Sequence, residues 1–140
     1  MVTTTGVLFP WSDTYSVRIG IIDVQHKNLV SIINELHQAM VAGHGKYQLG
    51  KILSELIKYT KVHFTTEENL MQSHQYPDCT LHKSEHDRLA KTVIDFQAKF
   101  QRNEIGLTIE VMDFLKTWLG KHILESDKKY GPFLNAHGVR

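Results

Sequence analysis

The stretch HKSEHDRLAKTVIDFQAKF, residues 82–100, decides how the chain folds. His82, His86, Leu89, Val93, Phe96 and Phe100 recur at steps of three and four, the period of a helix with one buried stripe. Residues four apart differ by about 40° around a helix, so His82 and His86 project from one face a turn apart. The two imidazoles therefore point where the aromatic and aliphatic side chains point, into a core.

The same residues spell H-x-x-E-H, a zinc-peptidase signature in which Glu85 would be the general base. On a regular helix Glu85 stands about 100° from His86 and about 60° from His82, at the edge of the stripe. It is expected at the surface or behind the ligands. A peptidase would also need a further ligand and a substrate cleft.

Outward from this segment, three more helices read clearly. One spans about 23–42, with Asp23 as N-cap, Leu29, Val30, Ile33, Leu36 and Met40 on its stripe, and Gly43 and Gly45 ending it. A second spans 48–73, carrying Leu49, Ile52, Leu53, Leu56, Thr60, Phe64 and Leu70. Pro77 and Asp78 open the helix over 78–102, and Asn103 to Gly106 turn the chain. The fourth spans 107–128 through Val111, Leu115, Trp118 and Leu119, with Gly131 and Pro132 expected to stop it. Period-two alternation is absent. The expected fold is all-α: an up-down-up-down four-helix bundle, one domain over residues 1–140, with an irregular N-terminal segment.

Bulk properties exclude more than they assign. A chain of 140 residues, 41% hydrophobic and 22% charged, can bury one continuous core without disulfides. A net charge of +1 with interspersed signs gives no case for nucleic acid or an anionic membrane. MVTTTGVLFPW lacks the basic start and apolar length of a signal peptide, no run is long enough for membrane insertion, and Cys79 has no partner for a disulfide, so a cytoplasmic address is expected. Cys79 itself is assigned no role. Nine histidines, spread along the chain, are the unusual feature.

Their placement carries the chemistry. His63 and Glu67 form another i, i+4 pair, continuing the line of Leu53, Leu56 and Thr60, while His26 lies one turn before Leu29 and His122 three residues after Leu119. His26, His82 and His86 lie early in their helices, and His63, Glu67 and His122 late in theirs. Antiparallel packing brings all of them to one level. Burying several imidazoles and a carboxylate without partners would cost several kcal/mol, about 2 or more for each group, so a metal site is the expected explanation.

The pieces DVQHKNL (23–29), HFTTEENLM (63–71), YPDCTLHKSEH (76–86), WLGKHILESD (118–127) and the following KKYGPFL resemble the bacterial hemerythrins, over nearly the whole chain from Trp11 to about Leu134. The resemblance implies a non-haem di-iron centre with an oxo or hydroxo bridge. One iron would be held by His82, His86 and His122, and the other by His26 and His63, with Glu67 and Asp127 bridging and an open place for dioxygen on the two-histidine iron. Asp127 fits least easily: five residues after His122, a regular helix would turn it about 140° away and put Ser126 on the histidine's face. An irregular or π-type turn is therefore expected there. The resemblance also covers Trp11, Val17 and Ile21, in the stretch that packs across the bundle.

Donor chemistry agrees with iron, since imidazole and carboxylate both suit it. Five histidines and two shared carboxylates, with one bridging oxygen, leave one place open on two octahedral ions. Two ferrous ions offset by two carboxylates and a hydroxide leave a site near neutrality, tolerable inside a core. A ferritin-like site would need Glu-x-x-His pairs, which the sequence lacks. The expected function is reversible dioxygen binding for storage, delivery or sensing, with an oxygen-using enzyme as a conceivable recipient. Alternatives are a di-iron enzyme acting on oxygen, peroxide or nitric oxide, the zinc peptidase, and a metal-free helical module. Phe64, Trp118 and Leu119 are expected to wall the oxygen pocket, and Asp23 and Gln25 to cap a helix or support ligands. His37 lies about three turns from His26, too far to join the site, and His44, His74 and His137 are read as surface residues.

Overall fold

A computed structural model of the chain describes residues 7–140; the leading MVTTTG lies outside them. Helices α1 (Gly20–Val41), α2 (Lys46–Ser73), α3 (Cys79–Gln101) and α4 (Ile109–His122) form the bundle, and a π-helical turn, Ile123–Asp127, joins α4 to α5 (Lys128–Ala136). No strand occurs among the described residues, and none of their helices is long and apolar enough to cross a membrane. Gly43 (φ 79°) and Asn103 (φ 62°) follow α1 and α3 in the left-handed conformation that ends helices. The Thr108 side chain accepts from the Val111 amide at 3.2 Å and caps α4, a contact worth about 1 kcal/mol.

Two helix ends differ from the sequence expectation for identifiable reasons. Helix α1 begins at Gly20, and Asp23 sits inside its first turn instead of capping it. The Asp23 carboxylate accepts from Ser16 Oγ at 2.6 Å and from the Val17 amide at 2.9 Å, so it pins the N-terminal segment to α1. The last helix does not stop at Gly131 and Pro132 but continues to Ala136. Gly131 is there for close approach: a Cβ on it would lie 2.8 Å from the Val17 carbonyl oxygen. Pro132 removes one helical hydrogen bond but lies on the exposed side.

The N-terminal segment packs across the bundle through aromatic residues. Phe9 is buried and both its backbone groups are bonded by the Asn34 side chain at 2.9 Å, while its ring and that of Tyr15 cover Gly120 of α4. Trp11 packs against Tyr15 with their rings tilted at 37°, and Lys27 lies over it. Val17 is buried, whereas Ile21, expected to share this packing, belongs to α1 and is 55% exposed.

The core is divided into two apolar layers. The larger holds Leu29, Ile33, Leu36, Leu53, Leu56, Val93, Phe100, Met112, Leu115 and Leu119; the smaller holds Val17, Ile19, Ile22, Met71, Tyr130 and Leu134. Every long helix passes from one layer to the other. In α1 the crossing falls between Ile22 and Leu29, in α2 between Ile57 and Met71, in α3 between Cys79 and Leu89, and in the last helix between Ile123 and Tyr130. The buried polar residues lie in those four intervals, with His122 one residue ahead of the last.

Candidate metal centre

Each crossing supplies ligand-type side chains, all buried: His26 from α1, His63 and Glu67 from α2, His82 and His86 from α3, and His122 and Asp127 around the π-turn. The i, i+4 pairs of α2 and α3 arise from helical spacing alone. Asp127 needs the π-turn, whose extra residue rotates it onto the face of His122 and leaves Ser126 pointing aside. The irregular turn expected from the spacing is present at that point.

The donor atoms fall into two groups that share both carboxylates. His82, His86, His122, Glu67 and Asp127 converge in one, and His26, His63, Glu67 and Asp127 in the other. Asp127 reaches across with two oxygens: Oδ1 lies 2.9 Å from His82 Nε2 and 3.0 Å from His122 Nε2, while Oδ2 lies 3.0 Å from His26 Nε2. Glu67 Oε1 lies 3.2 Å from both His63 Nε2 and His86 Nε2. The Tyr130 hydroxyl donates to Glu67 Oε2.

These atoms fit a metal better than they fit one another. Nε2 of His26, His63 and His82, Oε1 of Glu67 and both oxygens of Asp127 are buried with no hydrogen-bond partner, although several lie about 3 Å apart. Orphaned buried polar groups of this number are rare in folded proteins. His86 Nε2 and His122 Nε2 stand 3.2 Å apart, close to the separation of two ligands at right angles on one ion with bonds of about 2.1 Å.

Electrostatics points the same way. Burial would raise Asp127, yet His122, with His26 and His82 beside it, holds its carboxyl well below the usual range. Burial and the charge of Asp127 would raise Glu67, but His63 and His86 pull it down. Burial opposes a charged His122, and Asp127, Glu67 and Glu85 nevertheless push it up to about 9; His63 is raised against burial by Glu67 and Asp127. The two carboxylates thus demand positive charge inside the layer, which protons on imidazole or metal cations can supply.

The profile of the hemerythrin HHE cation-binding domain matches residues 17–134. The chain belongs to the hemerythrin family. A bacteriohemerythrin from Methylococcus capsulatus is 37% identical over 130 residues, covering 92% of this chain and 98% of that protein. A hemerythrin-like protein from Naegleria gruberi is 31% identical over 133 residues, covering 93% and 97%. A crystal structure of a wild-type hemerythrin superposes with a TM-score of 0.85 at 37% identity, covering 91% of this chain and 98% of that one.

Around this buried polar layer of the hemerythrin-family chain, the imidazoles are held from behind. His122 Nδ1 donates to Glu85 Oε1 at 2.6 Å, His86 Nδ1 to Glu68 Oε2 at 2.8 Å, and His63 Nδ1 to Gln25 Oε1 at 2.7 Å. Gln25 therefore stands behind His63, and Glu85 stands behind His122 with its carboxylate engaged. The sequence reading missed Glu68, Ser126 and Tyr130. Tyr130 could have been found, because it lies three residues beyond Asp127 and so on the same side of a helix.

Phe64 stacks on His86 with ring centroids 3.7 Å apart, the Trp118 indole donates to the Leu89 carbonyl at 3.2 Å, and Leu119 is buried in the larger apolar layer. His37 lies outside both donor groups, half-buried with Nδ1 unpartnered. His44 and His137 are exposed; His74 is half-buried, its Nδ1 tied to the Leu70 carbonyl.

Proposed function

We propose that the chain binds dioxygen reversibly at a non-haem di-iron centre, as a carrier, store or sensor. His82, His86 and His122 would hold one iron and His26 and His63 the other, with Glu67 and Asp127 shared. The observation that carries this reading is the pair of donor groups with unequal histidine counts and both carboxylates in common. A mononuclear site would not need two overlapping groups, and imidazole with carboxylate suits iron.

Two ferrous ions, when bound, supply the electrons that a dioxygen ligand takes up and returns. The protein's part is to hold charge and exclude water. Asp127 and Glu67 offset the cations in a layer from which water is shut out by apolar layers on both sides. Tyr130, whose phenol burial and the neighbouring carboxylates push well above its ordinary range, stays a proton donor to Glu67. Phe64, Trp118 and Leu119 form the apolar wall that slows loss of charge to water. A ligand shell dominated by neutral imidazole stabilises highly oxidised iron less than a carboxylate shell would, which favours binding over oxygenation.

A zinc peptidase built on H-x-x-E-H fits poorly. Glu85 accepts from His122 and from Ser126, so it is committed to holding a ligand and not poised to activate water. The test is optical. The iron-loaded, reduced protein is expected to be nearly colourless, to gain a visible charge-transfer band in air and to lose it on deoxygenation; a band that never forms, or oxygen consumed without recovery, overturns the carrier reading.

A further inference from the structure

The contacts behind the imidazoles differ in charge between the two donor groups. On the three-histidine side, His86 and His122 each donate Nδ1–H to a carboxylate, Glu68 at 2.8 Å and Glu85 at 2.6 Å. On the two-histidine side, His63 donates to the neutral amide oxygen of Gln25 at 2.7 Å, and His26 Nδ1 is buried with no partner.

Further hydrogen bonds fix the Glu85 and Gln25 contacts. The Ser126 hydroxyl lies 2.7 and 2.9 Å from the two Glu85 oxygens and donates between them, so the turn that brings Asp127 inward also fixes Glu85. Gln25 Nε2 donates to Thr66 Oγ1 at 3.2 Å, which leaves its oxygen to face His63. All three imidazoles are thereby held with Nε2 turned inward. A carboxylate draws the Nδ1 proton toward itself and makes Nε2 a stronger donor, whereas an amide only orients the ring.

We propose that Glu85 and Glu68 are positioning residues that make the three-histidine subsite the tighter of the two, and that Gln25 keeps the two-histidine subsite weak and exchangeable. This rests on the two-metal reading of the centre. It adds which subsite fills first, and why.

Titration of the metal-free protein with Co²⁺, followed by its visible absorption, separates the possibilities. The wild type is expected to take up cobalt in two resolved steps. Glu85→Gln keeps an acceptor for His122 and removes the charge, and should weaken the tight step about 10-fold with little effect on the weak one. Gln25→Glu should strengthen the weak step by a similar factor and draw the two steps together, a gain that a misfolded variant cannot produce. Two equal steps in the wild type, a tight step untouched by Glu85→Gln, both steps weakened alike, or a weak step unmoved by Gln25→Glu overturns the proposal. Uptake of a single cobalt ion by the wild type overturns the two-metal reading itself.

Discussion

The larger apolar layer and the ligand layer are built by the same four helices along the same stripes, yet they do opposite things to the free energy. In the apolar layer Leu36, Leu53 and Leu56 are fully buried, and each such side chain stabilises the fold by about 1.5–3 kcal/mol. About two to three turns away, seven imidazoles and carboxylates are buried with many polar atoms unpartnered, which is unfavourable until something positive joins them. One layer secures the bundle, and the other is held in place by it. The division predicts that stability and metal binding can be separated by mutation.

The largest effect is expected from Asp127→Ala, which removes a shared carboxylate whose Oδ1 faces one donor group and Oδ2 the other. Iron content should fall from about two ions per chain to below one, with the helical circular dichroism kept. If this variant retained both ions, the shared-carboxylate arrangement would be wrong. Leu56→Ala, in the apolar layer, should destabilise the protein by about 2–5 kcal/mol in denaturant while leaving iron stoichiometry unchanged. Loss of iron from that variant would break the separation of the two layers.

A smaller effect sharpens the contrast through pH. In the metal-free protein His122 is raised from 6.5 to about 9. Its contribution to stability is fully present below the unfolded value and is lost as pH rises through about 9. Asp127 and Glu67 are lowered, so their contribution is present above ordinary carboxylate values and disappears as pH falls toward their depressed ones. The metal-free melting temperature should therefore decline on both sides of neutrality. Iron-loaded protein should show a flatter alkaline arm, because a ligating His122 has already given up its proton. Smallest of all, Tyr130→Phe leaves Glu67 Oε2 without its donor and should lower stability by about 1–3 kcal/mol, measured by urea unfolding, without abolishing metal uptake.

The bundle was legible because four stripes of three- and four-residue steps need nothing but helical period. The i, i+4 pairs His63 with Glu67 and His82 with His86 were legible for the same reason. Asp127 was not accessible to spacing, since its direction depends on a π-turn that tertiary packing selects; the family resemblance, not the period, pointed to it. The ends of α1 and α5 were misplaced because Asp23 and Gly131 look like punctuation in sequence but serve the N-terminal segment, a partner more than a hundred positions from Gly131. Glu85 stood at the edge of its stripe by geometry, and only the neighbouring helix decided that it meets His122 and Ser126. Glu68 was overlooked beside Glu67 because adjacent residues on a helix point about 100° apart and only one can face the core.

The most direct test of the central claim is to count iron and gas together on one reconstituted sample, by metal analysis and by oxygen uptake and release through repeated cycles of air and vacuum. About two irons and about one dioxygen per chain, with the oxygen recovered on each cycle, is the predicted result for two octahedral ions that share their carboxylates and keep one place open. One metal ion per chain, or oxygen taken up and not returned, would contradict it.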